Sequence, residues 1–379
     1  MKIGVVIHGP EVIDSGQAKA IIDILSAEGE VCARLGGTMG RTAVIDAGLE
    51  NLIDTSQRLK PSESIGALSA TSDVVFLLNH GKTTETGRAF GNIVISNLQD
   101  MDNKPLVHIE RPGCPDGEII SWNTSASTHA IKMSSVLDMK MSERSMFTIK
   151  PMQIETDGQR TIRKISGVHM GENILVNGVV IGKAETENIG IVVENGFVTS
   201  IEGGTVKEHG IEKLHNYENK VPIDIKSAWV KSGSLRRSDF TPRIGRNIES
   251  SIDSGSSTCG KVVMIDHAAE YCFELADGAQ FAVTVGDDTT SIAGDILYRL
   301  GIPIIGITDG DFDGLSQNTH IYPGSIILRL RSGHDDIVGR HIIEELFGGK
   351  NTASFDTFKI LKRKIIKIAG DSIISFVHY

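Results

Sequence analysis

Short apolar runs alternate with helix-like stretches over the first part of the chain. The apolar runs are Ile3–Ile7, Val31–Leu35, Val74–Leu78 and Leu106–Ile109. Between the first two, Gln17–Ala27 repeats its apolar residues with the period of an amphipathic helix. Wholly apolar strands separated by helices are typical of a parallel sheet with helical crossovers. The sequence therefore predicts an α/β domain, with further helices at 86–98 and 130–137 and a polar stretch at 119–128 that leaves the pattern.

A second region of the same kind begins at Lys261. The runs KVVMID, FAVTVG and IPIIGIT are predicted strands, as is Ser325–Leu330, whereas Ile292–Leu300 and Ile337–Phe347 are predicted helices. The C-terminal run FKILKRKIIKIAGDSIISFVH is predicted to form strands joined near Gly370. The second region therefore also predicts a parallel α/β fold.

The chain changes character between these two regions. Two apolar runs are split by Asn177-Gly178 and two more by Asn195-Gly196, and both dipeptides favour tight β-hairpin turns. This segment is predicted to be a small antiparallel β domain that acts as a spacer or an oligomerisation module, which leaves a homo-oligomer open. The predicted organisation is an α/β protein with two Rossmann-like, parallel α/β domains separated by a small antiparallel β-rich segment. Its parts are an N-terminal domain (1–145), a β-rich middle domain (146–225), a polar linker (226–260) and a C-terminal domain (261–379).

The linker carries several arginines in a stretch rich in serine and glycine. These are Arg236, Arg237, Arg243 and Arg246. Guanidinium groups bind phosphate well, so the cluster could clamp a phosphate group. A solvated linker is the favoured interpretation, because the stretch shows little periodicity.

Composition limits the partners and the compartment. The 379 residues carry a net charge of −10, and aromatic residues make up only 5 %. Both values make nucleic acid an improbable partner, because such binding relies on basic surfaces and stacking platforms. No apolar run is long enough to span a membrane. The four cysteines are scattered without disulfide spacing, and the N-terminus resembles a strand more than a signal peptide, so a cytoplasmic location is expected.

Polar, glycine-containing turns follow each predicted strand of the N-terminal domain. Parallel strands end at one edge of a sheet, where helix N-termini and glycine turns offer backbone N–H groups to an anion. The turns are therefore predicted to form a pocket for a phosphorylated small molecule or a nucleotide. Capping of the following helices is the alternative role for any single turn. The predicted ligand-binding residues are Gly9, Gly36, Gly37, Thr38, Gly40, Arg41, Gly81, Lys82, Thr83 and Arg111.

Two histidines accompany these turns. His8 and His80 are predicted to act as catalytic acid/base groups, since imidazole titrates near neutral pH, although each could be a loop residue without a catalytic role. Glu11, Asp14 and Glu110 are carboxylates that could orient the histidines or share a metal ion. The turns match neither the G-x-G-x-x-G nor the P-loop pattern, so neither a dinucleotide cofactor nor P-loop hydrolysis is supported.

Acidic turns follow two predicted strands of the C-terminal domain. The motif DGDFDG comes directly after IPIIGIT, and GDDTT comes directly after FAVTV. Carboxylates gathered at one sheet edge repel each other, and a hard divalent cation would relieve that repulsion. A Mg²⁺ site is therefore predicted, with Mn²⁺ or Ca²⁺ as alternatives and two solvated turns as the competing interpretation. The predicted ligands are Asp287, Asp288, Asp309, Asp311 and Asp313. His267 and Glu270, near Asp266, are possible additional ligands.

Several longer segments resemble a known family. IGVVIHGPEVIDSG, ARLGGTMGRTAVIDAG, NHGKTTETGRAFG and GDDTTSIAGDILYRLGIPIIGITDGDFDG are similar to an uncharacterised family of methanogenic archaea, domain of unknown function 2117. The resemblance implies an archaeal cytoplasmic protein and supplies no catalytic roles. A strand followed by DGDFDG also resembles the acidic signature of Toprim domains, which act on nucleic acids, but the Glu-Gly turn of that signature is absent here.

These observations favour one function and leave two alternatives. The favoured hypothesis is a metal-dependent phosphotransferase or phosphohydrolase acting on a phosphorylated small molecule or a nucleotide. The first alternative is a non-catalytic regulatory protein that binds a metabolite or nucleotide through the same loops. The second is a Toprim-like nucleic-acid enzyme.

Overall fold

The structure, a computed structural model, divides the chain into two units. It describes residues 1–98, 104–143, 153–216, 219–234, 236, 241–244, 260–310 and 320–379. The first unit comprises residues 1–41 and 51–236, and the second comprises residues 42–50 and 237–379. The domain boundaries predicted from the sequence stay a prediction.

A seven-stranded sheet forms one half of the first unit. Its strands are β1 (Lys2–His8), β2 (Glu30–Leu35), β3 (Ile53–Asp54), β4 (Val74–Asn79), β5 (Leu106–Glu110), β6 (Glu118–Ser121) and β7 (Lys140–Glu143). They lie in the order β3-β2-β1-β4-β5-β6-β7, and β1 to β5 run parallel. The predicted parallel α/β pattern is confirmed here. Every carboxyl end from β1 to β5 therefore lies at one edge of the sheet.

Strand β6 corrects one prediction. The stretch 119–128 was expected to leave the strand pattern, but all four residues of β6 are buried and pair antiparallel with β5. The strand is only four residues long and has a polar residue at each end, Glu118 and Ser121. Its two apolar residues are too few to show the periodicity of a strand. Glu118 is accommodated inside because Arg88 donates to both of its oxygens, each at 2.6 Å.

Helices of the N-terminal half connect these strands. They are α1 (Glu11–Asp14), α2 (Gln17–Ser26), α3 (Arg41–Ala47), α4 (Pro61–Ser69), α5 (Thr84–Ser96) and α6 (Ser127–Leu137). Helix α2 buries Ala18, Ile21, Ile22 and Leu25, the stripe that its sequence predicts. Most of α3 belongs to the second unit, because residues 42–50 pack there.

Two four-stranded sheets complete the first unit. The strands are β8 (Ile154–Asp157), β9 (Arg160–Ile165), β10 (Asn173–Val176), β11 (Val179–Ala184), β12 (Ile189–Glu194), β13 (Phe197–Glu202), β14 (Gly204–Val206) and β15 (Val230–Gly233), with helix α7 at Glu208–Leu214. The orders are β14-β11-β10-β15 and β13-β12-β9-β8, and the strand pairs with a determined register are antiparallel. Asn177 and Gly178 both adopt positive φ, +48° and +85°, as do Asn195 and Gly196, +52° and +86°. The two predicted hairpins are thus confirmed.

A six-stranded sheet organises the second unit. Its strands are β16 (Gly260–Asp266), β17 (Phe281–Val285), β18 (Ile304–Thr308), β19 (Ile326–Leu330), β20 (Thr352–Phe355) and β21 (Ile373–His378). Its helices, apart from α3, are α8 (Cys272–Leu275), α9 (Asp287–Leu300), α10 (Asp335–Phe347) and α11 (Phe358–Ala369). The order is β20-β16-β17-β18-β19-β21, in which β16 to β19 run parallel and the two outer strands antiparallel. Apolar clusters cover both faces of this sheet.

The C-terminal run differs from its prediction. Residues predicted as the first of two strands form α11, and only the last part forms a strand, β21. Leu361, Ile365 and Ala369 recur every four residues and are all buried, which is the spacing of a helix face. Thr357 caps the helix by accepting a hydrogen bond from the Ile360 N–H at 3.2 Å. The β-branched isoleucines favoured the strand prediction, but the helical spacing and cap override that preference.

The described parts of the chain contain no candidate for a membrane-spanning helix. No helix there combines the length and the apolar character that a bilayer crossing requires.

Candidate functional site

Three polar side chains stand side by side at the carboxyl edge of the first unit's parallel sheet. The strand register pairs His8 with Asn79 and Asn79 with Glu110, so the three residues end three adjacent strands. His8 Nδ1 lies 2.7 Å from Asn79 Oδ1, and Asn79 Nδ2 donates to Glu110 Oε2 at 2.6 Å. We call this row the polar relay. It follows from the sheet, because residues in register on parallel strands point to the same face.

The relay fixes the proton on His8. A carboxylate only accepts, so Asn79 must turn its NH₂ group to Glu110 and its carbonyl oxygen to His8. His8 therefore donates from Nδ1, which leaves the lone pair of Nε2 as an acceptor. Burial lowers the pKa of the His8 imidazole, and the nearby Lys231 charge adds to that effect against the opposing hydrogen bond to Asn79. Phe90 stacks on the ring with the centroids 4.0 Å apart. His8 is thus a neutral, oriented base at neutral pH.

Glu110 is fully buried at the other end of the relay. Burial acts to raise the pKa of its carboxyl, but hydrogen bonds from His108, Asn79 and the Gly81 N–H outweigh burial and hold that pKa below its ordinary value. The Gly81 N–H donates to Oε1 at 2.6 Å, and His108 Nε2 lies 2.9 Å from Oε2. The carboxylate is therefore an internal anion that organises the strand ends around it.

The predicted cations of the first unit make contacts within the protein. Lys82 Nζ lies 2.6 Å from Glu172 Oε2 and donates to the Ser232 hydroxyl and carbonyl oxygens. Arg41 is buried at the start of α3. Lys82 is therefore the residue that ties the loop after β4 to the β-rich sheets.

Arg111 is likewise committed to its own surroundings. Its Nε donates to Asp116, with Oδ2 at 3.0 Å, and one terminal nitrogen donates to the carbonyl oxygens of Gly81 and Lys82 at 2.5 and 3.0 Å. The guanidinium thereby fixes the loop that follows β4. These contacts engage several of the N–H donors that the sequence prediction assigned to an anion.

Several predicted glycines serve close packing. A Cβ on Gly36 would crowd Val6 and Pro61, and one on Gly40 would lie 3.1 Å from the Gly9 carbonyl oxygen. The loops after β1 and β2 therefore touch each other. The remaining predicted turn residues belong to the same loops. Gly9 and Gly37 adopt positive φ, and the Thr38 carbonyl oxygen accepts a hydrogen bond from the Arg41 N–H at 3.3 Å. Gly81 packs against the backbone of α5.

Thr83 and His80 have separate roles beside the relay. The Thr83 hydroxyl caps α5 by accepting from the Thr86 N–H at 3.2 Å, as expected for a threonine before a helix. His80 Nε2 lies 3.8 Å from Cys114 Sγ, and its buried Nδ1 has no hydrogen-bond partner among the described residues. Asp14, a candidate for orienting a histidine, instead pairs with Arg236 at 2.6 Å.

Carboxylates converge at the corresponding edge of the second unit. Asp287 opens α9 directly after β17, and Asp309 directly follows β18. Burial, the Asp309 charge and a hydrogen bond to Asp309 raise the pKa of Asp287 to about 6. One oxygen of Asp287, Oδ1, is buried and has no hydrogen-bond partner in the described chain. Asp309 is held in place by the Gly333 N–H, which donates to its Oδ2 at 2.5 Å.

A second acidic pair and a histidine extend this edge. His267, Asp335 and Asp336 each place one ligand atom within 4.8 Å of the others. His267 Nδ1 lies 2.6 Å from Asp266 Oδ1, which raises the pKa of the imidazole despite its burial. Burial and then the Asp309 charge raise the pKa of Asp335. We call Asp287, Asp309, Asp335, Asp336 and His267 the acidic edge.

The acidic edge contains part of the predicted metal set. Asp287 and Asp309 lie beside each other, Asp288 is exposed at the next position of α9, and Asp311 and Asp313 lie outside the described residues. Their role as metal ligands stays a prediction. Sequence reasoning missed Asp335, which begins α10 after β19. Its signal was available, since it also opens a helix that follows a parallel strand. Asn79 was missed because a single amide carries no motif.

The two units define an α/β protein whose parallel sheets each end in a polar, carboxylate-bearing edge. A family model described as "Uncharacterized protein conserved in archaea (DUF2117)" matches residues 5–350. The chain is also 44 % identical over 351 residues to "Uncharacterized protein MJ0065" of Methanocaldococcus jannaschii, which covers 91 % of this chain and 92 % of that protein. The chain belongs to this archaeal family, as its sequence resemblance indicated. No solved structure matches it significantly.

Proposed function

We propose that the acidic edge of the second unit binds a divalent cation and that the protein is a metal-dependent enzyme acting on a phosphorylated small molecule or nucleotide. One observation carries the proposal. The buried Asp287 Oδ1 has no hydrogen-bond partner among the described residues, while burial and then the neighbouring Asp309 charge raise the pKa of the Asp287 carboxyl to about 6. An ion at this position would relieve the repulsion and satisfy that oxygen.

The donor set favours a hard ion with several open positions. Carboxylate oxygens come from the ends of β17, β18 and β19, and His267 adds one imidazole. Oxygen-rich sites suit Mg²⁺ and Ca²⁺, whereas a single added imidazole suits Mn²⁺ as well. Protein carboxylates rarely fill the octahedron of Mg²⁺, so water and substrate oxygens would complete it.

Phosphate chemistry is supported by what surrounds the carboxylates. Helix α9 begins at Asp287 and is fourteen residues long, so its first N–H groups point toward the acidic edge. They would donate to phosphate oxygens, and a bound cation would neutralise the charge on the same oxygens. The chain's own contribution is to hold Asp309 through the Gly333 N–H and His267 through Asp266. The scattered cysteines support a cytoplasmic location for this enzyme.

Metal titration tests the first half of the proposal. Calorimetry with Mg²⁺, Mn²⁺ and Ca²⁺ on the wild-type protein should show binding that Asp287→Asn and Asp309→Asn each weaken at least about tenfold, or about 1.4 kcal/mol. Asp356→Asn, an exposed charge change in the same unit, should bind like the wild type. Equal binding by all four proteins would overturn the metal site.

Turnover tests the second half. With Mg²⁺ or Mn²⁺ present, a panel of nucleotides and phosphorylated metabolites should yield a product whose formation Asp309→Asn abolishes. If one panel compound raises the melting temperature of the protein but no compound is converted, catalysis is ruled out and a regulatory binding protein remains.

A further inference from the structure

Strand β21 of the second unit lies at an open edge of its sheet. It pairs with β19 on one side, and no strand of the described chain pairs with its other side. Its side chains are largely apolar and remain in solvent: Phe376 and Val377 are 45 % and 41 % exposed, and Ile374 is more exposed still. An open strand edge that carries exposed apolar side chains is a template for pairing with another strand.

The other edge strands of the described sheets are short or charged. Strands β3, β7, β8, β14, β15 and β20 have two to four residues each, and the longer β13 ends in Glu202. Short length and charge are common means by which proteins keep an edge from pairing. Strand β21 has six residues, none of which is Asp, Glu, Lys or Arg. A bulge interrupts only its start, and the ladder with β19 is regular from Ser375 to His378.

The regular part of β21 directs alternate backbone groups to its open side. The Tyr379 N–H donates to the Ser325 carbonyl oxygen at 3.1 Å, so the backbone of Tyr379 faces the β19 side. Val377, two positions away, faces β19 as well, because hydrogen-bonding residues recur at every second position of an antiparallel ladder. Phe376 and His378 therefore turn their N–H and C=O groups away from β19, toward the open side.

A second copy of the same strand would satisfy these outward groups. With a two-fold axis at Val377, Phe376 of each copy lies opposite His378 of the other, and both pairs exchange N–H···O=C bonds in each direction. The two Val377 side chains then lie directly opposite each other and lose exposed apolar surface. A two-fold contact brings each residue close to its own kind, so a strand without acidic or basic residues pairs with itself free of like-charge repulsion. An acidic or basic partner strand would find no complementary charge on β21.

We propose that two copies of this chain associate through antiparallel pairing of β21, which joins their six-stranded sheets into one continuous sheet of twelve strands. A contact confined to one strand edge is expected to be smaller than the standard interface of about 1,600 Å². The association should therefore be a monomer–dimer equilibrium with a Kd in the micromolar range. It uses no residue of the acidic edge, so its test is independent of the proposed metal enzyme.

Sedimentation equilibrium of the full chain tests the association itself. The wild type should pass from monomer to dimer as its concentration rises from about 1 to 500 µM, the range expected for a small interface. Amide hydrogen exchange at both concentrations locates the contact. The N–H groups of Phe376 and His378 should exchange more slowly in the dimer, whereas the Val377 N–H, which already faces β19, should change less. A wild type that stays monomeric throughout would overturn the proposal.

Charges placed on the axis test the pairing geometry. Val377→Lys and Val377→Glu should each weaken the dimer at least about tenfold, because each sets like charges directly opposite each other. An equimolar mixture of the two variants should dimerise again, since the opposite charges then meet. Recovery in the mixture also shows that both variants fold. Ile131→Lys replaces an exposed apolar residue of α6 in the first unit and should dimerise like the wild type.

A proline variant tests the backbone contribution. His378→Pro removes an outward N–H and leaves the bonds to β19 in place, because proline is tolerated in an edge strand where its nitrogen faces solvent. The dimer loses one donor from each copy, so its Kd should rise at least about tenfold. A dimer that Val377→Lys and His378→Pro leave intact, or that Ile131→Lys disrupts, would overturn pairing through β21.

Discussion

Gly87 packs its backbone directly against the carboxyl group of Glu110. A Cβ placed on Gly87 would overlap that carboxyl group, and one on Gly91, a turn later, would lie 2.7 Å from His108 Nδ1. Helix α5 can therefore lie on the buried end of the polar relay only because these two positions lack side chains. The helix in turn places Phe90 on the His8 ring. Helix packing and the orientation of the candidate base are thus set by the same contact.

Replacement of Gly87 by alanine is expected to destabilise the protein by about 1–3 kcal/mol, the usual cost of forcing a methyl into a filled site. Gly66→Ala is the matched control, because Gly66 lies in α4, is exposed and has nothing within 4 Å of the added Cβ. That control should gain about 0.5–1 kcal/mol from helix propensity. Urea unfolding of both variants measures the difference, and equal stabilisation of the two would show that α5 does not approach Glu110.

Glu110→Gln is expected to lower the free energy of unfolding by about 1–3 kcal/mol at pH 7. The carboxylate accepts hydrogen bonds through both of its oxygens, whereas the amide of glutamine would turn an NH₂ group toward some of the same N–H donors. The pKa of Glu110 is lowered in the folded protein, so its contribution is fully present above the ordinary value of 4.5 and is lost as the pH falls through the folded pKa. The stability gap between wild type and variant should therefore narrow below pH 4.5. Glu194→Gln, an exposed change, should show no gap at either pH; a constant gap for Glu110→Gln would contradict the pKa shift.

The strands and hairpins were predictable from sequence because each carries a local signal. Apolar runs such as Val74–Leu78 and the Asn-Gly turns report on the backbone within a few residues. The proximity of Asp287 and Asp309 was predictable in the same way, since parallel strands place their carboxyl ends together.

What escaped prediction depends on partners distant in sequence. Lys82 was expected to meet a ligand, and only the folded chain shows that Glu172, ninety positions away, neutralises it. In α11, the sequence contained both a strand-like composition and a helical spacing, and packing of Leu361 and Ile365 decided between them.

Breaking the ion pair between Arg299 and Asp46 is expected to be among the most costly single changes in the second unit. Arg299 and Asp46 are 1 % and 4 % exposed, and Arg299 Nε donates to Asp46 Oδ1 at 2.8 Å. Asp46→Ala would leave the guanidinium with Asp295 alone and should cost about 3–5 kcal/mol. Asp23→Ala removes the acid of an exposed pair with Lys19 and should cost less than about 1 kcal/mol. Thermal unfolding compares the two, and equal small effects would contradict burial of the Arg299 pair.

Asp287→Asn is expected to stabilise the metal-free protein at neutral pH. Burial and the Asp309 charge raise the pKa of Asp287 to about 6, so the folded state binds this proton more tightly than the unfolded chain, whose ordinary value is 3.8. Stability from this group is therefore present below about pH 3.8 and is lost as the pH rises through 6. At pH 7.5 the asparagine variant should be more stable by about 1–2 kcal/mol, less than the roughly 3 kcal/mol that two pKa units represent, because Asp287 is only partly buried.

Unfolding in excess EDTA at pH 7.5 and pH 4.5 measures that gain, which should shrink at the lower pH as the wild-type carboxyl becomes protonated in the folded state. Asp356→Asn is the control, since its carboxyl is exposed and its removal should change stability by less than about 0.5 kcal/mol at either pH. Addition of Mg²⁺ or Mn²⁺ at pH 7.5 should then make the wild type the more stable protein. The ion stabilises the folded state that binds it, and the variant, which lacks the Asp287 carboxylate, binds it more weakly. A variant that is less stable than the wild type in EDTA at pH 7.5 would show that Asp287 and Asp309 do not repel each other.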